Sequence, residues 1–343
     1  MKNVKFYNDD NLNIMAKMPN ESIDVICIDP PYLYLKNQKL ERVFDEDNFF
    51  AECKRLLTKN GFMVMFGRGV SFYRWNTILD SLNFEFKEEI VWDKSQSSSP
   101  LMKVSRVHET VSIFTKGKGV INKVKVPYIE IKKYDIGSLV TDVKRFKSGF
   151  NNTSSFDAVL EFLENNNLVA KEPPHINQVT NSNLTKPDRC ASIAKSIQDG
   201  ITEKTIIRTD RISCDTFSKH NVTSDKRKSG DRCVNTIQSL EFGLTEKTII
   251  KQVRDHYTSI HPTQKPVRLL ERLLALVIPS DKPIEEIVVA DFFAGSMSCM
   301  EAVLNMGMKG IAVEIDEEYF KEGKNRIETL IVKLEETQIT LFA

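Results

Sequence analysis

Residues 23–32 read Ile-Asp-Val-Ile-Cys-Ile-Asp-Pro-Pro-Tyr, a mostly apolar run that stops at Asp29-Pro30-Pro31-Tyr32. A short apolar run of this kind reads as a strand buried on both faces. Proline cannot donate to a sheet ladder, so the strand ends where the prolines begin. Asp29–Tyr32 therefore sits at the carboxyl end of a buried strand, where open α/β sheets place their sites.

The same rhythm extends outward. Val4–Tyr7, Gly61–Phe66, Glu89–Trp92 and Thr110–Thr115 are strand-like, while Phe49–Leu57 and Tyr73–Leu82 are helix-like. The rhythm fails after Gly117 and resumes with a helical pattern at Pro266–Val277. Beyond it come strands at Ile287–Ala290 and Ile311–Val313, and helices at Cys299–Leu304 and Glu318–Leu334. Strands alternating with helices specify a mostly parallel sheet covered on both faces. The expectation is one α/β domain in two halves, residues 1–116 and 261–343, interrupted by an insert at 117–260.

Composition sets the partner question. The chain carries 48 Lys and Arg against 47 Asp and Glu, but the charge is unevenly spread. Residues 117–260 hold 23 basic and 17 acidic side chains, leaving 25 basic and 30 acidic elsewhere. A basic insert in an acidic body suits a polyanion, although many solvated surfaces look alike. On that reading, duplex binding weakens with salt through the insert, with Lys226, Arg227 and Lys228 as its densest basic run. The six cysteines show neither a C-x-x-C pair nor metal-ligand spacing, so reduced thiols and no metal are expected. The N-terminus has no apolar signal core and no run is long enough to span a membrane, which points to the cytoplasm. Within the insert, residues 188–208 match 231–251 at a constant offset of 43, with 11 identities. Two units are too few for a solenoid. They are either a duplicated packing element or two copies of a reading head.

Three constellations carry chemistry. An exocyclic amino group on a base is a poor nucleophile, because its lone pair is delocalised into the ring. A carboxylate (Asp29) beside a backbone carbonyl (Pro30) can pull its hydrogens out of the ring plane. Pro31 stiffens the turn, and Tyr32 offers an aromatic face to a flipped base. From these four residues alone, a plain strand-ending turn reads equally well. The second constellation is Asp291-Phe292-Phe293-Ala294-Gly295-Ser296, a small-residue turn after a strand. The next strand ends in Glu314, an acid at the place and distance that a ribose diol needs. The third is His261-Pro262-Thr263-Gln264-Lys265-Pro266, where Lys265 could meet a carboxylate such as the methionine end of a cofactor. On spacing alone, a basic surface turn before a capped helix is the favoured reading.

Together, in this order, these features resemble the permuted, beta-class DNA amino-methyltransferases. Asn8-Asp9-Asp10 and Asp29–Tyr32 look like that family's opening. The resemblance continues through Trp92-Asp93-Lys94 and His108-Glu109, breaks at the insert, and returns at His261–Pro266, Asp291–Ser296 and Glu314–Phe320. It covers rather more than half of the 343 residues. It implies a doubly wound, Rossmann-like methyltransferase sheet with circularly permuted motif order and an inserted, mostly irregular target-recognition region. It also implies S-adenosyl-L-methionine as cofactor and methyl transfer to the N6 amino group of adenine in double-stranded DNA. In that scheme Asp29, Pro30, Pro31 and Tyr32 are catalytic. Asp10, Asp29, Lys265, Asp291, Phe293, Ala294, Gly295, Ser296 and Glu314 hold the cofactor, with Asp10 near its adenine. Aspartate rather than serine at position 29 favours adenine over the N4 of cytosine. A homodimer and a cognate restriction nuclease are further partners that the resemblance allows.

The chain departs from the family where Met297 and Ser298 follow Gly295-Ser296, in place of the usual Gly and Thr. A methionine at a point of close backbone approach would hinder the cofactor unless its side chain turns into the core. Other readings compete. Protein-glutamine or RNA-base methylation uses a similar turn, but in an unpermuted order and without such an insert. A DNA-binding relative that has lost catalysis would carry Met297 as its scar. A dinucleotide oxidoreductase would need the full G-x-G-x-x-G, which is absent.

Overall fold

The computed structural model describes residues 4–32, 42–94, 107–148, 154–165, 229–253 and 264–342. The first duplicated unit (188–208), the basic run Lys226–Lys228 and His261–Thr263 lie outside these residues. The chain divides into two compact units, 1–124 with 246–343, and 125–245.

The first unit is a three-layer α/β body. Its strands are β1 (Val4–Tyr7), β2 (Ile23–Ile28), β3 (Leu57–Gly67), β4 (Glu85–Asp93), β5 (His108–Thr115), β8 (Ile249–Lys251), β9 (Val288–Asp291) and β10 (Lys309–Val313). They lie in the order β1-β10-β9-β2-β3-β5-β4-β8. All pairings are parallel except the two made by β5, which runs against the rest. All six residues of β2 are buried, as its apolar run requires. Alternation along β3 splits its side chains between two cores: Phe62, Val64 and Phe66 face one side, Met63 and Met65 the other.

Helices cover both faces. Against the first pack Val267–Val277, Ser298–Asn305 and, through Ile327, the helix Glu317–Phe342. Leu269, Leu270, Leu273, Leu274 and Val277 recur at helical spacing, which gives that helix its buried stripe. Against the second pack Asn11–Met15, Glu46–Leu56 and Gly69–Ser81. The helix Glu46–Leu56 starts earlier than its apolar pattern suggests, because the Asp45 side chain caps it by accepting from the Asn48 amide.

The second unit pairs the short strands β6 (Lys125–Val126) and β7 (Leu244–Thr245) and holds four helices among its described residues. These are Tyr128–Lys132, Ile136–Lys147, Ser154–Asn165 and Ser229–Phe242. The expectation of a mostly irregular region is thus corrected for the described part. Ile136, Leu139, Val140, Val143 and Phe146 do carry helical spacing, but polar neighbours dilute it below notice. The second duplicated copy is divided: 231–245 falls in the second unit, and 246–251 in the first, where β8 adds to β4. Among the described residues, no helix is long and apolar enough to cross a membrane.

Candidate active site

Because β1, β2, β4, β9 and β10 run the same way, their carboxyl ends share one edge of the sheet, and the reversed β5 begins there. Every functional segment read from the sequence and described in the structure leaves or enters at that edge.

Asp29 follows β2 directly, and both of its carboxylate oxygens are engaged. The Tyr32 hydroxyl donates to Oδ1 at 2.5 Å, and the Lys265 ammonium bonds Oδ2. Tyr32 is itself held, its carbonyl accepting from Ser71 Oγ at 2.7 Å. Its ring lies tilted against Trp75, with centroids 6.2 Å apart. Lys265 thus meets carboxylates, but they belong to the protein: Asp29, and Glu109 Oε2 at 3.2 Å. Glu109 in turn pairs through Oε1 with Lys94 at 2.9 Å.

Glu109 and Lys94 drew no role from the sequence. Both sit on the inward register of neighbouring strands. Ile90, Trp92 and Lys94 alternate inward along and just past β4, as do Glu109, Val111 and Ile113 along β5. An ionisable residue on a core-facing register was the signal to look for.

The turn after β9 is tied to the acid after β10. The Gly295 amide donates to Glu314 Oε2 at 2.7 Å, and the Asp316 amide to Oε1 at 2.9 Å. Burial raises the Glu314 carboxyl above its ordinary range, and these two amides offset part of that rise. Ala294 N–H reaches the Val313 carbonyl at 3.0 Å, and the Ser296 carbonyl accepts from Arg326 at 2.9 Å. The Phe293 ring lies 5.1 Å from those of Phe44 and Phe49. Asp10 lies beyond β1 and caps the helix Asn11–Met15 through Oδ1, 2.9 Å from the Leu12 amide. Asn8 beside it donates to the Glu314 carbonyl at 2.8 Å.

Gly295 and Met297 are both left-handed, at φ 46° and 58°. Met297 is fully buried in the first core, so its side chain does turn inward. The left-handed backbone costs a methionine about 1–2 kcal/mol, while losing so much buried side chain costs about 2–5 kcal/mol. Met297→Gly is therefore expected to lower the unfolding midpoint. The approach of the helix Glu317–Phe342 to this turn depends on Gly323. A Cβ there would stand 2.8 Å from Met297 Cγ and 2.9 Å from the Gly295 carbonyl oxygen. Helix propensity gains about 0.5–1 kcal/mol from Gly323→Ala, whereas forcing the overlap costs about 1–3 kcal/mol. The expected outcome is lower stability and weaker cofactor binding by calorimetry. A variant that binds equally well would show that the turn can yield.

Asp291 is buried, and its carboxyl accepts from the Phe293 amide at 3.0 Å. Its pKa is pushed up to about 8, first by burial, while the Phe293 amide partly offsets the rise. The charges of Asp29 and Glu314 add to the rise, and Lys265 opposes it. The folded state thus holds a proton that the unfolded chain has released. The associated stability is present below about pH 4 and lost as pH rises towards about pH 8. Asp291→Asn should flatten that slope in denaturant titrations across the range; an unchanged slope would contradict the assignment.

Comparison with known proteins gives the arrangement a context. The sequence profile of a DNA methylase family, N6 and N4 in type, matches residues 23–325. Type II methyltransferase M.HinfI of Haemophilus influenzae is 30% identical over a stretch covering 25% of this chain and 30% of that protein. The DNA adenine methyltransferase YhdJ of Escherichia coli is 37% identical over 23% of this chain and 24% of its own length. The chain thus spans a third or less of these two relatives. The crystal structure of an M1.HpyAVI–SAM complex aligns over 94% of this chain and 99% of that one, at 16% identity and a TM-score of 0.47.

Proposed function

This chain belongs to the N6/N4 DNA methylase family, and on that premise we propose that it methylates the N6 amino group of adenine in DNA. The cofactor of this family is S-adenosylmethionine, which supplies an electrophilic methyl group when bound.

The donor set along the sheet edge suits that cofactor. Glu314, already oriented by the Gly295 and Asp316 amides, would accept from the ribose hydroxyls. The turn Asp291–Ser296 brings backbone close, and Asp10 would face the adenine. The charges of Asp29 and Glu314 both act on Asp291, and a cationic ligand beside it would favour release of the proton it holds below about pH 8.

One observation carries the reading: Asp29 stands at a strand end with each carboxylate oxygen fixed by a separate donor. Each oxygen keeps a lone pair for the hydrogens of an incoming amino group. Accepting those hydrogens localises the nitrogen lone pair for attack. The Pro30 carbonyl would accept the second hydrogen, and Tyr32 would stack on the base. Circular permutation of the motif order, and target recognition by the insert, belong to the same proposal.

Adenine is favoured because position 29 is aspartate, and YhdJ is named as an adenine enzyme. N4-cytosine methylation is the alternative. Nucleoside mass spectrometry on DNA incubated with the protein and S-adenosylmethionine tests the reading. N6-methyladenine is expected; N4-methylcytosine would move the substrate, and no modified base would overturn the activity.

A further inference from the structure

Behind Asp29 runs a line of alternating charge. Lys265, Glu109 and Lys94 are each less than a tenth exposed, and with Asp29 they sum to zero charge. They come from different parts of the fold: Asp29 after β2, Glu109 on β5, Lys94 just past β4, and Lys265 before the helix Val267–Val277. The line lies under aromatic rings. The Lys265 ammonium is 5.0 Å from the Phe66 ring centre and 6.0 Å from that of Trp92, and Lys94 is 5.9 Å from Trp92. Trp92 is pinned in turn, its indole N–H donating to the Gln252 carbonyl at 2.8 Å.

We propose that Glu109 is a positioning residue for methyl transfer, holding the Lys265 ammonium on Asp29 with Lys94 as its own counter-ion. This rests on the reading of Asp29 as the acceptor of the amino hydrogens. A lysine carries a flexible stem and three donors, so one carboxylate alone leaves its ammonium free to swing. Two carboxylates, Asp29 and Glu109, both within ion-pair distance, restrict it further. Glu109 is the rigid one, because it rises from a central strand and is locked by Lys94. Asp29 lies on a turn, and the Tyr32 hydroxyl and Lys265 each fix one of its oxygens. Misplacement of a reacting group by about 1 Å can cost on the order of 10²-fold in rate, so an anchor two bonds removed from the chemistry is expected to matter.

The test is single-turnover methyl transfer from radiolabelled S-adenosylmethionine to unmethylated genomic DNA. Glu109→Gln keeps the shape and removes the charge. The rate constant is expected to fall on the order of 10²-fold, with cofactor affinity by calorimetry unchanged within a factor of about two. The substitution also leaves a net buried positive charge, which by itself destabilises. Pairing it with Lys94→Met restores neutrality, so the double variant should regain its melting temperature while staying slow. Recovery of the rate along with stability would overturn the proposal, because the defect would then be stranded charge. In a Lys265→Met background, Glu109→Gln should add nothing; a further multiplicative loss would also overturn it. If the wild type is active, Asp29→Asn is not and Glu109→Gln is fast, only this inference falls. A wild type that transfers no methyl group overturns the functional reading and this inference with it.

Discussion

Asp29→Ala is expected to abolish methyl transfer while leaving cofactor and DNA binding largely intact. Loss of one positioned proton acceptor costs about 10²–10⁴ in rate, or about 3–5 kcal/mol of barrier. Lys265 keeps Glu109 as a partner at 3.2 Å, but the variant leaves a net positive charge beside it, so a lowered melting temperature is expected together with the lost rate. Rapid-quench measurement of a single turnover separates chemistry from product release. Turnover near the wild-type rate would remove Asp29 from the mechanism.

The second large effect is on stability. Arg272, on the helix Val267–Val277, makes two bonds of 2.6 Å to Glu246, and their side chains are only 4% and 3% exposed. Arg272→Met strands a carboxylate in the core and should cost about 3–5 kcal/mol. Replacing both partners with apolar residues should recover most of that loss, because a buried pair gains little net energy over good packing. Denaturant unfolding of the two single variants and the double variant checks this. A double variant as unstable as the singles would show that the pair contributes more than its mutual neutralisation.

Glu246 also bears on the duplicated units. It belongs to the Thr-Glu-Lys-Thr-Ile-Ile run shared by both copies, and in the second copy Ile250 is fully buried. That end of the copy packs. Gln238 and Phe242, on the helix Ser229–Phe242, are exposed instead and remain available for contact. Packing thus accounts for the Thr-Glu-Lys-Thr-Ile-Ile end of this copy, and the helix end is exposed.

Legibility followed the physics of each signal. The end of β2 could be read because six apolar-dominated residues followed by two prolines admit few other structures. Glu314 was found because a strand, turn, helix and strand fix its distance from Gly295, and the two meet at 2.7 Å. The partners of Lys265 were not legible. Glu109 stands on β5, whose antiparallel pairing with β4 sets it beside Lys94, and that register is not written in either strand alone. Met297 stood out as a departure, but its direction depended on a left-handed backbone that apolar patterning does not encode. The helix Ile136–Lys147 was missed because its apolar positions are spaced among polar ones in a segment judged by composition.

On the proposed function, the sheet edge bearing Asp29, Lys265, Asp291 and Glu314 methylates adenine in DNA. Long-read sequencing of the genome of a methylation-free host expressing the protein tests it most directly, with Asp29→Ala as the matched control. Modified adenine at one recurring sequence, present with the wild type and absent with the variant, is the predicted result. Unmodified adenines throughout, or the same modification in the Asp29→Ala host, would contradict it.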